Sequence, residues 1–324
     1  MSAHRSANGA RVVCVAPNPS IDRTYDIDRL IPGGIHRPAR ARAVAGGKGI
    51  NVARAAHALG ADVVAVPLLR GHAGQWLADE LAGHGIAVRA GWAPGETRTC
   101  ISIHDPMTDG LTEFYESGDP IPADAWSAFE ALVGEVLEGG AGVMTISGSL
   151  PTGAGDDALL GLCRVARQAG VPVHLDAHGS GLLAALAERP SILKLNAAEA
   201  AEIAQLVDPA GDGQPRDPSA AVEALVTFAD RAVVVTRGRE GAVVAGPDGR
   251  WRVGPVPVEG RYPVGSGDAF LAGLATALAA GDELDRALRL ATGAGAANAL
   301  VPGAGELDPA EARRIADTVA VTPV

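Results

Sequence analysis

The segment Gly265-Ser266-Gly267-Asp268 combines residue types that can bind an anion next to a carboxylate. Apolar residues recur at helical spacing after it, which predicts a helix from about Asp268 to Gly281. Glycines let the backbone approach a ligand closely, and the first N–H groups of a helix have no intrahelical partner. Asp268 is therefore a candidate general base that faces a bound anion. An ordinary aspartate N-cap on a buried helix is the alternative.

A second glycine cluster, Gly46-Gly47-Lys48-Gly49, opens another predicted helix, which ends at Gly60. It brings backbone donors, the Lys48 ammonium and the Asn51 amide to one helix terminus. The amide suits sugar hydroxyls and the ammonium suits a phosphate. A tight turn before an alanine-rich packing helix is the alternative.

Asp22 stands in a polar segment, Asn18-Pro19-Ser20-Ile21-Asp22, just after a predicted strand at 12–16. Ligands of open α/β sheets bind beyond the carboxyl ends of the strands. Asp22 can accept two sugar hydroxyls there. An Asx-type turn would have the same sequence.

Two further segments follow predicted strands. In Lys194-Leu195-Asn196-Ala197-Ala198-Glu199, the last residue can hold Mg²⁺ through water, because Mg²⁺ takes few carboxylates and keeps several waters. A capping box between Asn196 and Glu199 is the alternative. Residues 236–241, with Thr236, Gly238 and Gly241, resemble a turn that binds a nucleotide phosphate, although a simple hairpin would look alike.

The elements that carry these segments alternate from residue 142 onward, which predicts βαβ units on a parallel sheet. A continuous apolar run at 233–235 favours a sheet covered on both faces. A Pro/Gly/Asp-rich loop at 208–218 is expected to be variable. Predicted strands lie at 143–146, 171–176, 192–195 and 232–236, and predicted helices at about 156–169, 181–188, 197–206 and 219–229.

The first third of the chain has a looser alternation of apolar and polar residues at 23–30, 36–44, 97–104 and 111–116. This pattern predicts a small, half-exposed sheet. We expect one α/β domain over residues 1–324, in which segments at about 23–44 and 97–116 form a lid.

Composition narrows the class of protein. The chain has 324 residues, 47% hydrophobic residues and a formal net charge of -11, which excludes a disordered chain and disfavours a nucleic-acid binder. Three cysteines without a CxxC pair disfavour a disulfide framework and a cysteine zinc site. The first sixteen residues lack the apolar core of a signal peptide, and no apolar stretch reaches the ~20 residues that span a bilayer. We expect a cytoplasmic protein that binds neither nucleic acid nor membrane.

Lysine is scarce, and standard phosphate-binding motifs are missing. Only Lys48 and Lys194 are lysines among 27 cationic side chains, so each is a candidate for a site that needs a compact ammonium, with chance as the alternative. A Walker A loop fails because Gly49 follows Lys48. There is also no Rossmann fingerprint in context, no HExxH motif, and no HRD and DFG pair.

Together these segments resemble the ribokinase-like (PfkB) family of sugar kinases over residues 11–318. Residues 46–53 resemble its N-terminal signature, and Gly265 to Asp268 resemble its C-terminal signature, in which the aspartate is the catalytic base. Residues 18–22, 95–100 and 147–151 resemble the hexose-phosphate branch, which includes 1-phosphofructokinase and tagatose-6-phosphate kinase. The fold implied is a mostly parallel sheet flanked by helices with a small β-sheet lid, and a homodimer that pairs through the lid.

The resemblance implies a role for each matching residue. Asp22 and Asn51 would hold sugar hydroxyls. The phosphate of the sugar substrate would be surrounded by Arg37, Lys48, Arg98, and Ser147 or Ser149. Gly46 and Gly47 would also bind the substrate. ATP and Mg²⁺ would be served by Lys194, Asn196, Glu199, Thr236, Gly238 and Gly241, with Asn298 near the adenine.

Two departures from the family pattern stand out. The family often has Lys-Pro-Asn where this chain has Lys194-Leu195-Asn196, and both functional residues are kept. It also often has Asp-Thr/Cys-Ser-Gly where this chain has Asp176-Ala177-His178-Gly179. The second change bears on the choice of substrate.

The expected reaction is ATP-dependent phosphorylation of a phosphorylated ketohexose, with fructose-1-phosphate as the first choice. Asp268 would take the hydroxyl proton, and the amides of Gly265, Ser266 and Gly267 would receive the developing charge. Tagatose-6-phosphate and fructose-6-phosphate are alternative substrates. A Rossmann oxidoreductase is disfavoured by the missing fingerprint, and a non-catalytic sugar-phosphate-binding protein is disfavoured by the intact Asp268.

Overall fold

The computed structural model describes residues 11–107, 111–208, 217–256 and 258–324. The strands in these residues are β1 (Val12–Ala16), β2 (Ser20–Asp26), β3 (Arg40–Gly46), β4 (Val63–Arg70), β5 (Ala87–Val88), β6 (Gly91–Ala93), β7 (Thr99–His104), β8 (Leu111–Tyr115), β9 (Val143–Gly148), β10 (Val173–Ala177), β11 (Ile192–Asn196), β12 (Ala232–Thr236), β13 (Ala242–Gly246), β14 (Gly249–Val253) and β15 (Val321–Pro323).

The helices in the same residues alternate with strands from β9 to β12, whereas α8 to α10 follow one another after β14. They are α1 (Lys48–Ala58), α2 (Gly71–Gly83), α3 (Ala123–Glu138), α4 (Ala158–Gln168), α5 (Ser180–Ala185), α6 (Ala197–Val207), α7 (Pro218–Leu225), α8 (Ser266–Ala279), α9 (Leu284–Asn298) and α10 (Pro309–Ala316). None of the helices in the described ranges is both long and apolar enough to cross a membrane.

Most strands join one large sheet in the order β15-β14-β13-β12-β11-β10-β9-β1-β4-β5, with β6 also paired to β4. The pairs from β5 to β12 are parallel, and those from β12 to β15 are antiparallel. The carboxyl ends of β1, β9, β10, β11 and β12 therefore meet along one edge. The polar segments at 18–22, 147–151, 194–199 and 236–241 follow β1, β9, β11 and β12, so the topology brings them together. The two glycine clusters follow β3 and β14 instead, and they reach the same edge through side chains of α1 and α8.

The strands β1, β4 and β9 to β13 of the large sheet are mostly apolar, and they are buried on both faces. Cys14 and Val234 point toward the core formed with α1, α2, α8, α9 and α10. Val13 and Ile146 point toward the core formed with α3 to α7. Helix α1 lies close to β1 because Gly49 has no side chain; a Cβ there would be 2.7 Å from the Ala16 Cβ.

A second, four-stranded sheet has the order β3-β2-β7-β8, and we call it the small sheet. Its face with Asp22 and Cys100 is directed toward the edge of the large sheet, as the burial of Cys100 and the partial burial of Asp22 indicate. The opposite face carries Ile101, Ile103 and Phe114, and Phe114 is exposed. Because β3 ends at Gly46 just before α1, the small sheet is anchored beside the second glycine cluster.

The element boundaries differ from the sequence predictions in instructive places. Strand β10 begins at Val173, since Pro172 has no N–H for the ladder. Helix α8 begins at Ser266 because Gly265, with φ 84°, is its N-cap, so the reading of Asp268 as the N-cap is wrong. The predicted helix at 219–229 is α7 followed by a 3₁₀ turn at Val226–Phe228. Most of the 208–218 loop lies outside the described residues.

Candidate active site

Asp268 lies in the first turn of α8 and is almost fully buried. The Asn51 side chain, from α1, donates a hydrogen bond from Nδ2 to Asp268 Oδ2 at 2.8 Å. Burial, and then the nearby Asp176, raise the pKa of Asp268 from 3.8 to about 6, although Asn51, Lys194 and Lys48 oppose the rise. A carboxylate with a pKa slightly below neutral is well matched to general base catalysis at pH 7.

The turn before Asp268 has the geometry of an anion site. Gly265 adopts φ 84° and packs so closely that a Cβ would lie 2.6 Å from the Ala304 Cα. A Cβ on Gly267 would be 3.2 Å from Lys194 Nζ, so an ammonium sits beside the start of α8. The Ser266 N–H already donates to the Pro263 carbonyl at 3.1 Å, which leaves Gly265 and Gly267 as the candidate anion donors of the three.

Both lysines converge on one carboxylate. Asp176, at the end of β10, pairs with Lys194 through Oδ2 and with Lys48 through Oδ1, the latter at 3.4 Å. Burial favours the neutral form of Asp176, but the two ammonium groups outweigh it and hold its pKa below the usual value. Asp176 was not among the predicted site residues. Its position at the carboxyl end of a predicted strand was the signal that could have identified it.

Glu199 forms the capping box that was its alternative role. Its Oε2 accepts from the Asn196 N–H at 2.9 Å, and Asn196 Oδ1 accepts from the Glu199 N–H at 2.9 Å. Its other oxygen, Oε1, lies 3.8 Å from Lys48 Nζ, so the carboxylate also faces the site. No cluster of three or more metal-ligating side chains occurs in the part of the chain that the structure describes. One carboxylate with water and phosphate ligands fits Mg²⁺, which is rarely held by protein groups alone.

The residues that were predicted to bind the sugar lie where β1 passes into the small sheet. Asp22 Oδ1 accepts from Ser20 Oγ at 2.6 Å, and its carboxylate also accepts from the Gly47 N–H. The carboxylate occupies the space where a Gly46 side chain would be, so that position requires glycine. Burial raises the pKa of Asp22, against the influence of Ser20 and Arg98.

Arg98 reaches the same region from the start of β7. Its Nη2 donates to the Asn18 carbonyl at 3.1 Å, and its Nη1 donates to the Glu116 carbonyl at 3.2 Å. Asn18 Nδ2 in turn donates to Ser149 Oγ at 3.2 Å, after the end of β9. Arg98, Asn18 and Ser149 thus form one hydrogen-bonded group, and the charge of Arg98 also acts on Asp22.

The other predicted phosphate ligands of the sugar side differ in placement. Ser147 is buried at the end of β9, and its Oγ has no hydrogen-bond partner among the described residues. Arg37 is exposed on the loop between β2 and β3. No hydrogen bond or ion pair within the described ranges joins Arg37 to the site, so the structure does not bring it together with the others.

The predicted nucleotide turn joins two antiparallel strands. Residues 237–241 connect β12 to β13 as a hairpin, with φ 56° at Gly238 and 87° at Gly241. Thr236 Oγ1 donates to the Leu195 carbonyl at 3.3 Å. The hairpin alternative is therefore the local structure, and the turn still lies at the site edge of the large sheet, next to Asn196.

Asn298 is fully buried rather than at a surface that a base could contact. Its Nδ2 donates to the Val264 carbonyl at 3.0 Å, and its Oδ1 accepts from the Gly305 N–H at 2.8 Å. All its polar atoms are thus used to join the loop before α8 to the loop at 303–305. Asn298 therefore supports the turn before Asp268, which we call the anion turn, from the interior of the protein.

Known proteins resemble this chain along most of its length. The profile of the pfkB family carbohydrate kinases matches residues 13–311. A 1-phosphofructokinase of Rhodobacter capsulatus is 34% identical over 286 residues, 87% of this chain and 88% of that protein. A tagatose-6-phosphate kinase of Staphylococcus epidermidis is 29% identical over 300 residues, 92% and 94% of the two chains. The crystal structure of phosphofructokinase-2 from Escherichia coli in complex with potassium matches this chain with a TM-score of 0.86 at 28% identity. The match covers 95% of this chain and 99% of that chain. The expected ribokinase-like α/β fold is confirmed.

Proposed function

Because this chain belongs to the pfkB family of carbohydrate kinases, we propose that it phosphorylates fructose-1-phosphate to fructose-1,6-bisphosphate with ATP as the donor. The observation that carries the proposal is the buried Asp268 at the start of α8, held by Asn51 and close to both lysines. A general base, an anion-binding helix terminus and paired cations are the groups that phosphoryl transfer to an alcohol requires.

The protein groups act on the acceptor first. Asn51 binds Asp268 Oδ2, so Oδ1 is the atom that takes the proton of the acceptor hydroxyl. The hydroxyl oxygen attacks the γ-phosphorus, the bond from that phosphorus to the β–γ bridging oxygen breaks, and ADP is the leaving group. The N–H groups of Gly265 and Gly267 and the Lys194 ammonium stabilise the charge on the transferred group. Asp268 then holds the proton while the product leaves.

Glu199 is the residue that would hold Mg²⁺, through water, at the phosphates of ATP. The ion supplies charge neutralisation when it is bound. Lys194, Asn196, Thr236, Gly238 and Gly241 lie along the same edge of the large sheet, from β11 to the β12–β13 turn, and we assign them to the nucleotide.

The acceptor would lie between Asp22 and Asp268. Asp22 accepts sugar hydroxyls, while Arg98, Ser149 and Lys48 bind the phosphate that the sugar already carries, with Ser147 as a further candidate. The choice of fructose-1-phosphate rests on relatives such as the 1-phosphofructokinase of Rhodobacter capsulatus. Tagatose-6-phosphate is the second candidate, because a kinase of that name is also a relative. Fructose-6-phosphate is the third, and a non-catalytic sugar-phosphate-binding protein is the remaining alternative.

A coupled assay of ADP release tests the substrate. Fructose-1-phosphate, fructose-6-phosphate, tagatose-6-phosphate and unphosphorylated fructose are compared with purified enzyme, ATP and Mg²⁺. We expect kcat/KM for fructose-1-phosphate to exceed each of the others by about tenfold or more, which corresponds to one well-placed phosphate or hydroxyl contact. A higher kcat/KM for another sugar phosphate would make that compound the acceptor instead of fructose-1-phosphate. No turnover with any of the four sugars would favour a non-catalytic binding protein.

We also propose that the small sheet is a lid over the sugar within a single domain and that its outer face forms a homodimer. The inner face carries Asp22, and the outer face carries the apolar side chains of Ile101, Ile103 and the exposed Phe114. Apolar patches of this kind mark association surfaces. Sedimentation velocity tests the dimer, since Phe114→Asp should shift the wild-type dimer toward monomer, and a monomeric wild type would refute it.

Free thiols at Cys14, Cys100 and Cys163 fit a reducing compartment such as the cytoplasm.

A further inference from the structure

Arg54 is a partly buried arginine on α1, one turn after Asn51, and its guanidinium contacts three parts of the site. Its Nη1 donates to Asn51 Oδ1 at 3.2 Å and to the Ala304 carbonyl at 2.6 Å. Its Nη2 donates to the Ala45 carbonyl. Residues three apart on a helix share one face, so Arg54 and Asn51 can interact without any change of backbone.

The contact with Asn51 determines which way its amide points. A side-chain amide has one accepting oxygen and one donating nitrogen. Because Arg54 can only donate, it binds Asn51 Oδ1, and Nδ2 is then directed at Asp268 Oδ2. With the amide reversed, an oxygen would face the carboxylate and a donor would face the guanidinium. Arg54 therefore favours the orientation in which Asp268 is held as an ionised base.

The two carbonyl contacts join the base to its surroundings. Ala45 is next to the last residue of β3, where the small sheet is anchored. Ala304 lies in the loop that packs directly against Gly265. One guanidinium thus fixes the anchor of the small sheet, the amide that binds Asp268, and the loop behind the anion turn.

We propose that Arg54 is a positioning residue for phosphoryl transfer, which orients the Asn51 amide toward Asp268 and ties it to Ala45 and Ala304. The inference rests on the proposed function, in which Asp268 is the general base. Arg54 would touch neither sugar nor nucleotide, and it would act through Asn51.

Other charged groups near Asp268 also affect its pKa, so they must be considered when the role of Arg54 is tested through the pH dependence of kcat. Asp176 on β10, Lys194 on β11 and Lys48 on α1 all influence the Asp268 carboxylate. Arg54 is itself influenced by Glu306, Asp22, Arg42 and Glu80. Replacing Arg54 leaves the first group of charges in place but, in Arg54→Met, removes the charge of Arg54 itself. A shift in the titration of Asp268 that Arg54→Lys also shows, with the charge kept, would report on Asn51.

The test compares the pH dependence of kcat in Arg54→Met and in Arg313→Met, at saturating ATP and sugar phosphate. Arg313, on α10, donates from Nη2 to the Leu59 carbonyl at the other end of α1, at 2.8 Å, so it is a matched control for loss of an arginine that supports the same helix. We expect kcat of Arg54→Met to fall about tenfold or more at pH 8, and the midpoint of its acid limb to rise by about 0.5–1 pH unit. The profile of Arg313→Met should keep the wild-type midpoint, and KM for ATP should stay within a few-fold of wild type in both variants.

Arg54→Lys extends the test if Arg54→Met does not fold. A lysine cannot span three acceptors, so the acid limb of the kcat profile of Arg54→Lys should also move to higher pH, by a smaller amount than in Arg54→Met. An unmoved acid limb in the variant that folds, or an equal movement in Arg313→Met, would overturn the positioning role. Asp268→Asn separates this failure from that of the mechanism: if it keeps wild-type kcat, the general base itself is misassigned.

Discussion

At the scale of single residues, the environment of Asp268 raises its pKa, which makes the carboxylate a stronger base, but leaves it ionised at pH 7. Burial and Asp176 raise its pKa to about 6, while Asn51 and the two lysines limit the rise. A carboxylate that titrates this close to neutral pH should be visible in the kinetics.

Asp268→Asn should lower kcat by ~10²–10⁴-fold while KM for either substrate changes only a few-fold, because the amide keeps the shape but cannot take a proton. In the wild-type enzyme the base must be ionised, so kcat should fall as the pH drops through about 6. Steady-state kinetics between pH 5 and 9, in buffers of constant ionic strength, measure both effects. A kcat within about tenfold of wild type would show that Asp268 is not the base.

Arg98→Ala should raise KM for the sugar phosphate by about 10–100-fold and leave KM for ATP nearly unchanged, because a charge-assisted phosphate contact is worth ~1.5–3 kcal/mol. Arg98 contacts the Asn18 segment, which we assign to the sugar side. Arg252→Ala, at an exposed position on β14, is the control. Equal increases in both KM values would place Arg98 outside the sugar-phosphate pocket.

At the scale of elements, the sequence predicted the features that depend on residues close together in the chain. Glycine clusters gave the starts of α1 and α8, and apolar runs gave the strands of the large sheet. The capping box at Asn196 was likewise visible from its spacing. Asp176 and Arg54 were missed because their partners come from distant segments; the Ala304 carbonyl that Arg54 binds is 250 residues away. No pattern within one element indicates such a partner.

Gly267 tests the start of α8 as an element. Its backbone is helical, so alanine is tolerated there, but the added Cβ would lie 3.2 Å from Lys194 Nζ. Gly267→Ala should therefore lower kcat about tenfold by displacing the ammonium and narrowing the anion site, with little change in thermal stability. Gly83→Ala on α2 is the matched control, since its Cβ would meet nothing within 4 Å. Wild-type kcat in Gly267→Ala would mean that no reacting group passes close to this residue.

At the scale of the whole molecule, the site is an energetic cost to the fold. Asp268 has a folded-state pKa above its ordinary value of 3.8, so the folded protein binds this proton more tightly than the unfolded chain. The free energy of unfolding that this group contributes therefore decreases as the pH rises from about 4 to 6, and the penalty is complete above that range. Functional groups often carry such a cost.

Asp268→Asn should remove that penalty. We expect the variant to be about 2–3 kcal/mol more stable than wild type at pH 8 and nearly equal to it at pH 4, because an amide does not titrate. Urea unfolding followed by circular dichroism at both pH values measures the difference. Asp79→Asn, at an exposed carboxylate on α2, is the control. A variant less stable than wild type at pH 8 would show that burial does not disfavour the charge on Asp268.

The central position of β1 has a consequence for synthesis on the ribosome. β1 is made near the start of the chain but lies between β4 and β9, and β9 begins only at Val143. Until that strand emerges, the nascent chain presents an apolar strand with an unpaired edge, which other chains can join. Truncated products that end before β9 should therefore aggregate, although they contain the whole small sheet and α1. Expression of residues 1–140 beside the full chain, with the soluble and pelleted fractions compared, would show whether the first half depends on the second to remain in solution.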